Sequence, residues 1–356
     1  MAHIFEGAWQ RIVNAVDTAA QYGVGVLLGN KSEYLLPIIL NIHFPDLHSV
    51  PGKQNDDAHS GINGPVEFYK TRNRAHTVRI LKLLACAFAA TPNVAGIQLV
   101  NEPQNNGLLP AWYHSALDTL RAAVGPDLPL YIHDAWSTDQ YAALVRARAD
   151  FVVLDHHLYR CFTRADRRLS GDQHAAALPR AAFAQHAHTT RGNFVVAEFS
   201  AALHPASLGA EPDTQRRMLA RAALAMFEQS CAGWWVWTYK TSGWDAGWSF
   251  RDAVRAGVMP DWVGARRTAG RPNDEDARNA RASHALGRHT QYWSAFKGHY
   301  EHWRFETGFR RGWDDAFLFL AFAPPQAAAA GAALSELGFK GQWVRRRAEE
   351  IGRAHV

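Results

Sequence analysis

Cysteine is scarce in this chain, and the sequence shows neither a long apolar run nor an export signal. The three cysteines, Cys86, Cys161 and Cys231, lie in largely apolar stretches, so we expect buried thiols rather than a disulfide framework. Charged residues interrupt the first twenty positions, which form an amphipathic helical pattern unlike a secretion signal. No stretch approaches the length of a membrane span. We expect a soluble chain, cytoplasmic if Met1 is its start and secreted if a longer N-terminus precedes it.

An excess of positive charge is also missing from most of the chain. Residues 251–356 hold 17 basic and 12 acidic residues, whereas the residues before them hold 21 of each. The basic third carries no zinc-finger, homeodomain or RNA-binding motif, and a solvated helical face explains its charge. We therefore expect no nucleic-acid partner and no membrane partner, and the pattern leaves the oligomeric state open.

Short apolar stretches alternate with longer helical patterns. The predicted strands are 24–28, 95–100, 130–133, 151–155, 194–197 and 233–238, with helices such as 71–90, 111–124 and 214–229 between them. This alternation predicts a parallel sheet wrapped by helices, the α/β class. A chain of 356 residues has the size of a (β/α)8 TIM barrel.

Six strands are two fewer than a closed barrel requires. Because the chain opens on a helix, we expect an incomplete barrel in which the first two strand–helix units are missing. Residues 29–45 separate the strand at 24–28 from Asp46, Leu47 and His48, which resemble the end of that strand. We interpret 29–45 as an insertion, such as translated intron sequence; the alternative is a genuine loop with its own strand at 36–42.

The chain changes character beyond residue 250. We predict a barrel over 1–250 and a helical C-terminal extension over 251–356. In the extension Phe305, Phe309, Trp313 and Phe317 recur every four residues, a helical stripe that we expect to pack on the barrel. The sequence assigns no chemistry to this part.

Two acidic residues stand at the ends of apolar strands. Glu102 follows the run 97–101, and Glu198 follows the run 193–197. A buried strand seldom ends in a carboxylate without a reason. In parallel barrels the chemistry lies at the C-terminal ends of strands, and a pair of carboxylates is what cleavage of a glycosidic bond requires.

Five motifs then occur in a familiar order. They are 46–55 (DLHSVPGKQN), 101–103 (NEP), 155–159 (DHHLY), 197–200 (AEFS) and 233–240 (GWWVWTYK). This set resembles glycoside hydrolase family 5, and within it the fungal exo-β-1,3-glucanase branch. The resemblance covers roughly residues 9–250 without the suspected insertion. The family's first two strands, with an arginine that helps to hold the nucleophile, have no counterpart here.

The resemblance implies a retaining β-glycosidase that acts on β-glucan by double displacement. Glu102 is implied as the general acid/base, with a raised pKa, and Glu198 as the nucleophile. Tyr159 is expected to hydrogen-bond the nucleophile, and His156 to be a core residue. The candidate substrate-binding residues are His48, Asn101, Asp134, His157, Tyr159 and Trp237.

Other functions stay open at this point. The barrel could be an inactive carbohydrate-binding remnant, or a family 5 enzyme for another β-glycoside. Eighteen histidines, with the pair His186 and His188, raise a metal-dependent hydrolase as a rival. That pair follows a helical stretch rather than an early strand, so we expect no metal and no organic cofactor. The expected partner is an oligo- or polysaccharide substrate.

Overall fold

The computed structural model describes residues 2–21, 26–28, 48–61, 63–91, 94–260 and 273–321. They form two compact units, one containing the described residues up to 260 and the other containing 273–321. The suspected insertion at 29–45 lies outside the described residues. Among the helices that are described, none combines the length and apolar character needed to cross a membrane.

The first unit is built on one parallel sheet whose strand order in space follows the order in sequence. Its strands are β1 (Val26–Leu28), β2 (Val94–Gln98), β3 (Leu130–His133), β4 (Val152–Arg160), β5 (Phe194–Leu203) and β6 (Gly233–Val236). Each overlaps one of the predicted strands. Six consecutive parallel strands with helices between them are the arrangement of a (β/α)8 barrel, and the predicted incomplete barrel is confirmed.

Helices surround this sheet. They are α1 (Ala2–Gln21), α2 (Thr71–Phe88), α3 (Leu109–Val124), α4 (Thr138–Ala147), α5 (Gly171–Ala176), α6 (Arg180–Thr189), α7 (Pro205–Leu208), α8 (Pro212–Ser230) and α9 (Phe250–Arg255). The three predicted helices correspond to α2, α3 and α8. Pro212 opens α8, where a missing backbone N–H costs nothing because the first turn has no partner for it.

Side chains of the sheet alternate between two apolar layers. On the helix face, strand residues such as Ile97 and Leu154 share the main core with helix residues such as Leu117 and Leu224. On the opposite face, which we call the inner face, a smaller cluster forms from Leu27, Tyr131, Val153 and Val195. Successive strand residues point to opposite faces, so alternate residues after Val153 share the inner face.

The second unit contains α10 (Glu275–Trp293) and α11 (His302–Ala321), which pack on each other. The ring of His289 in α10 stacks on Phe305 in α11, with centroids 4.1 Å apart. Arg278 pairs with Asp314 at 2.8 Å between the same two helices. Phe305, the first ring of the predicted stripe, thus contacts a residue of this unit. The domain boundary at residue 250 and the packing of the extension on the barrel stay predictions.

Candidate active site

Four predicted site residues meet toward the C-terminal ends of three strands of the sheet. Glu102 lies four residues beyond β2, His157 and Tyr159 lie late in β4, and Glu198 lies within β5. Parallel strands bring these ends to one edge of the sheet. His157 is 1% exposed and Glu198 is 7% exposed, so both side chains are buried.

A β-bulge at Ala197 turns Glu198 toward the inner face. Val195 packs in the inner cluster and Val196 in the main core, so strict alternation would place Glu198 on the helix face. Val196 pairs with β4 in register, but the next β4 residue, His157, pairs with Glu198. Ala197 is therefore an extra residue, which shifts the alternation by one. Glu198 joins His157 on the inner face for this reason.

His157 connects the two candidate catalytic carboxylates. Its Nδ1 lies 2.6 Å from Oε1 of Glu102 and 3.4 Å from Oε2 of Glu198. Because the two distances share one nitrogen, those oxygens are at most about 6 Å apart. On the other side of the ring, Nε2 lies 3.1 Å from Oδ2 of Asp155. The imidazole is thus enclosed by three carboxylates.

These carboxylates decide where the proton lies. Burial alone would lower the pKa of His157, but Glu198, Asp155 and Glu102 raise it well above its ordinary value. Burial would also raise the pKa of Glu102, yet the hydrogen bond and charge of His157 lower it to about 2. The proton of this pair therefore lies on His157. The raised pKa expected for Glu102 is wrong for this arrangement.

Tyr159 contacts Glu198 directly. Its hydroxyl donates a hydrogen bond to Oε2 at 2.5 Å, within the range of short bonds to an ionised acceptor. Burial and the neighbouring charge of Glu198 raise the pKa of Tyr159, so the phenol keeps its proton and remains a donor. The expected contact between this tyrosine and the candidate nucleophile is present.

A loop after β1 holds Glu102 in place. The backbone of Glu102 is left-handed, with φ of 41°, which is uncommon for a residue other than glycine. Asn55 Nδ2 donates to its carbonyl oxygen at 2.6 Å. Nε2 of His59 lies 3.4 Å from Oε2 of Glu102. Asn55 therefore holds the backbone of Glu102, and His59 lies beside the free end of its side chain.

Asn101 is fully buried beside Glu102. Neither its Nδ2 nor its Oδ1 has a hydrogen-bond partner among the residues that the structure describes. An unsatisfied buried polar group costs about 1–3 kcal/mol. A hydroxyl both donates and accepts, so a polyol such as a sugar would satisfy this amide.

His48 and Trp237 lie together at this edge. Their rings stack with centroids 5.1 Å apart and planes 5° apart. The ring of His48 also lies 5.1 Å from that of His59, which in turn contacts Glu102. These two predicted substrate-binding residues therefore adjoin the side of the site that holds Glu102.

Asp134 lies behind the site. Its side chain is fully buried, accepts a hydrogen bond from Thr138 Oγ1 at 2.6 Å and lies 2.7 Å from Nδ1 of His156. Burial would raise the pKa of Asp134, but His156 lowers it below its ordinary value. The other oxygen of Asp134 accepts a hydrogen bond from the backbone N–H of Trp136 at 3.0 Å, so both oxygens of this predicted substrate contact are already engaged by the protein. His156 packs against Phe183, as expected of a core residue.

Two kinds of site residue are missing from the sequence prediction. One is Asp155, an acidic residue inside an apolar strand, which is the same signal that identified Glu102. The other is a set of exposed aromatic rings: Trp136 is 58% exposed and adjoins His157, and Phe162 is 65% exposed and adjoins Tyr159. Composition alone does not separate such rings from core aromatics.

Two groups of side chains around Glu102 have the composition of a cation site. One adds His133 and His157, the other Asp57 and His59, with ligand atoms within 4.8 Å of one another. In the first group His157 carries the proton that it shares with Glu102, which a metal ion would have to displace. In the second, Nε2 of His59 lies 2.9 Å from the Asn55 amide nitrogen, which directs a hydrogen at it. The donors and acceptors fit proton exchange better than metal binding.

One protein family and several fungal proteins are similar to this chain in sequence. Residues 274–356 match the family described as the glucan 1,3-beta-glucosidase 3 C-terminal domain. An uncharacterized glycosyl hydrolase of Saccharomyces cerevisiae is 26% identical over 331 residues, which are 88% of this chain and 60% of the relative. Glucan 1,3-beta-glucosidase 3 of Schizosaccharomyces pombe is 28% identical over 376 residues, which are 99% of this chain and 71% of the relative.

A solved structure is also similar. The crystal structure of a rutinosidase from Aspergillus niger is 16% identical, with a TM-score of 0.48, over 59% of this chain and 65% of that one. The chain spans 60% of the length of the Saccharomyces relative.

Proposed function

The chain is similar to the exo-β-1,3-glucanases of glycoside hydrolase family 5, and from this premise we propose that it hydrolyses β-glucosidic bonds of β-glucan with retention of configuration. The observation that carries the proposal is the position of His157 between two carboxylates. Glu102 and Glu198 face one imidazole nitrogen, and their oxygens are at most about 6 Å apart. Retaining glycosidases hold their carboxyl groups about 5–5.5 Å apart, and inverting ones about 6.5–9.5 Å.

In the first step Glu198 attacks the anomeric carbon. Tyr159 orients its Oε2, and the bond from Glu198 to carbon forms as the bond to the leaving oxygen breaks. The leaving oxygen takes a proton from the pair formed by Glu102 and His157. As Glu198 loses its charge to the new bond, it ceases to hold the proton on His157, which favours transfer through Glu102.

In the second step water replaces the leaving group. Glu102, now a carboxylate, accepts a proton from this water as the oxygen attacks the anomeric carbon. The bond to Glu198 breaks and its charge returns, so the proton again becomes stable on His157. The pair therefore acts as one acid/base, with Glu102 in contact with the reacting oxygen and His157 as its proton store.

Sugar binding is assigned to the polar and aromatic groups around this pair. Asn101 carries a buried amide that a sugar hydroxyl would satisfy. His48 and Trp237 form a stacked platform beside Glu102, and an indole face suits the C–H face of a pyranose. Trp136 and Phe162 offer exposed rings for further sugar units.

The test is hydrolysis of laminarin by the purified chain. We expect glucose or short oligosaccharides, and NMR should show the β-anomer first, because two displacements restore the configuration. Glu198→Ala and Glu102→Ala should each lower turnover at least a hundredfold while circular dichroism stays unchanged. Azide should rescue the variants differently, giving an α-glycosyl azide with Glu198→Ala and a β-glycosyl azide with Glu102→Ala.

Glu228→Gln is the matched control, because this exposed carboxylate lies on α8. It should leave turnover unchanged. Full activity of either catalytic variant, or release of the α-anomer first, would contradict the proposal. If the chain is inactive on laminarin and on other β-glucans but binds them, a carbohydrate-binding barrel is the correct description.

A further inference from the structure

We propose that Asp155 is the positioning residue of this site: it fixes the bulge that turns Glu198 inward and it keeps the proton on His157. The inference deepens the proposed function and rests on it. Asp155 lies on β4 two residues before His157, so both side chains share the inner face. It lies behind His157 and is fully buried.

Both oxygens of Asp155 have defined partners. Oδ1 accepts a hydrogen bond from the backbone N–H of Ala197 at 2.8 Å. Oδ2 accepts from Nε2 of Gln98 at 2.7 Å and lies 3.1 Å from Nε2 of His157. Gln98 is itself only 1% exposed. One carboxylate thus joins β2, β4 and β5 directly below the catalytic groups.

The contact with Ala197 supports the bulge. An extra residue in a strand disrupts the ladder, so its N–H needs another acceptor. Asp155 supplies that acceptor in a place that water does not reach. Without it, the regular register competes with the bulged one, and the regular register sends Glu198 to the helix face. The orientation of Glu198 therefore depends on a residue of the neighbouring strand.

The contact between Asp155 and His157 favours the protonated, charged form of the imidazole. The groups that face His157 are the carboxylates of Glu102, Glu198 and Asp155 and the ring of His133, whose centroid lies 4.4 Å away. Glu102 and Glu198 both lie at Nδ1, and Asp155 is the carboxylate at Nε2. A charged imidazole has two N–H donors, so the Nε2 proton needs Asp155 as its acceptor.

Two substitutions separate these contributions. Asp155→Asn keeps an oxygen for the N–H of Ala197, but it presents an NH2 group to His157 and removes the charge. Asp155→Ala removes both contacts. The first variant should therefore lose the proton store and keep the orientation of Glu198, whereas the second should lose both.

Substrates with different leaving groups report on each contribution. The dinitrophenolate of a 2,4-dinitrophenyl β-glucoside leaves without protonation. The sugar that leaves from laminarin needs a proton from a general acid. We expect Asp155→Asn to lower kcat on laminarin roughly 10- to 100-fold while changing hydrolysis of the aryl glucoside less than about threefold. Asp155→Ala should lower both by about a hundredfold or more, because Glu198 is misplaced. Asp150→Asn, which alters a half-buried carboxylate just before β4, should affect the two substrates equally.

A measurement of His157 itself makes the test independent of turnover. Nitrogen-15 NMR of the imidazole should show a charged ring at neutral pH in the unaltered chain and a neutral ring in Asp155→Asn. A ring that stays charged in that variant, or aryl glucoside hydrolysis that survives in Asp155→Ala, would overturn the inference. If the unaltered chain hydrolyses neither substrate, the proposed function fails, and the NMR result alone decides the role of Asp155.

Discussion

Nδ1 of His157 lies 2.6 Å from Oε1 of Glu102, and the two groups share one proton whose preferred place is the histidine. Glu102 helps to raise the pKa of His157, and His157 lowers the pKa of Glu102. Chemistry and stability therefore depend on the same contact. This contact also determines how the fold should respond to pH.

Stability should fall at alkaline pH because of His157. A folded-state pKa raised above the ordinary 6.5 stabilises the fold fully below pH 6.5, and this stabilisation is lost as pH rises through the raised value. Between pH 6.5 and the raised value we expect the free energy of unfolding to fall by up to about 1.4 kcal/mol per pH unit. Urea denaturation at several pH values checks this.

His157→Gln should flatten that alkaline decline, whereas Tyr159→Phe should preserve it. Glu102 has the opposite effect, because it makes the free energy of unfolding fall at acid pH. Its pKa is lowered from 4.5 to about 2, so its stabilising contribution is present above 4.5 and is lost as pH falls toward 2. An alkaline decline of equal slope in the glutamine variant would contradict the assignment of the proton to His157.

Loss of the Tyr159 hydroxyl should slow the reaction. Tyr159→Phe removes the 2.5 Å hydrogen bond to Glu198 and keeps the aromatic contact with Trp248. A hydrogen bond to a charged group contributes about 1.5–3 kcal/mol, so we expect kcat on laminarin to fall roughly tenfold or more. Steady-state kinetics with a circular dichroism control measures this. A change of less than about twofold would show that the bond is dispensable.

The exposed aromatic rings should affect substrate binding more than chemistry. Phe162→Ala and Trp136→Ala each remove an exposed ring next to His157 or Tyr159. Stacking of a sugar on such a ring contributes about 1 kcal/mol, so KM for laminari-oligosaccharides should rise several-fold with kcat little changed. Trp9→Ala is the matched control, since that ring lies on α1 against Phe88 of α2 and is 41% exposed. An equal effect in all three variants would argue against a platform at the site.

The helix face behind Glu198 should be sensitive to cavities. Phe199 is 1% exposed and its ring packs edge-on against Phe227 of α8, 5.2 Å away. Phe199→Ala should lower the free energy of unfolding by about 3–5 kcal/mol, measured by urea denaturation. Leu83→Ala, at a position that is 69% exposed, should change it by less than about 0.5 kcal/mol. A small effect at Phe199 would mean that β5 tolerates repacking next to the site.

The fold could be predicted from the sequence because its signals are local. Apolar runs of strand length alternate with amphipathic helices, and the six predicted strands are the six strands in the part of the chain that the structure describes. The resemblance to exo-β-1,3-glucanases is confirmed by the relatives and by the C-terminal family match. The assigned roles of Glu102 and Glu198 stay predictions that the proposed experiments test.

The parts that could not be predicted depend on contacts between distant residues. Strict alternation along β5 places Glu198 on the helix face, and only pairing with β4 shows the bulge at Ala197. Asp134 ends a strand as Glu102 does, but His156 and Thr138 enclose it. The lowered pKa of Glu102 likewise results from a histidine 55 positions away in sequence. No window of neighbouring residues contains this information.

The left-handed backbone of Glu102 has a consequence for engineering. A residue with a side chain in this region costs about 1–2 kcal/mol relative to ordinary backbone, whereas glycine adopts it freely. Glu102→Gly would remove this backbone cost, but it would also remove the ion pair with His157 that stabilises the fold and the group proposed to exchange protons with the substrate. At this position the backbone favours glycine and the contact with His157 favours a carboxylate, so a library should be measured for both thermal tolerance and turnover.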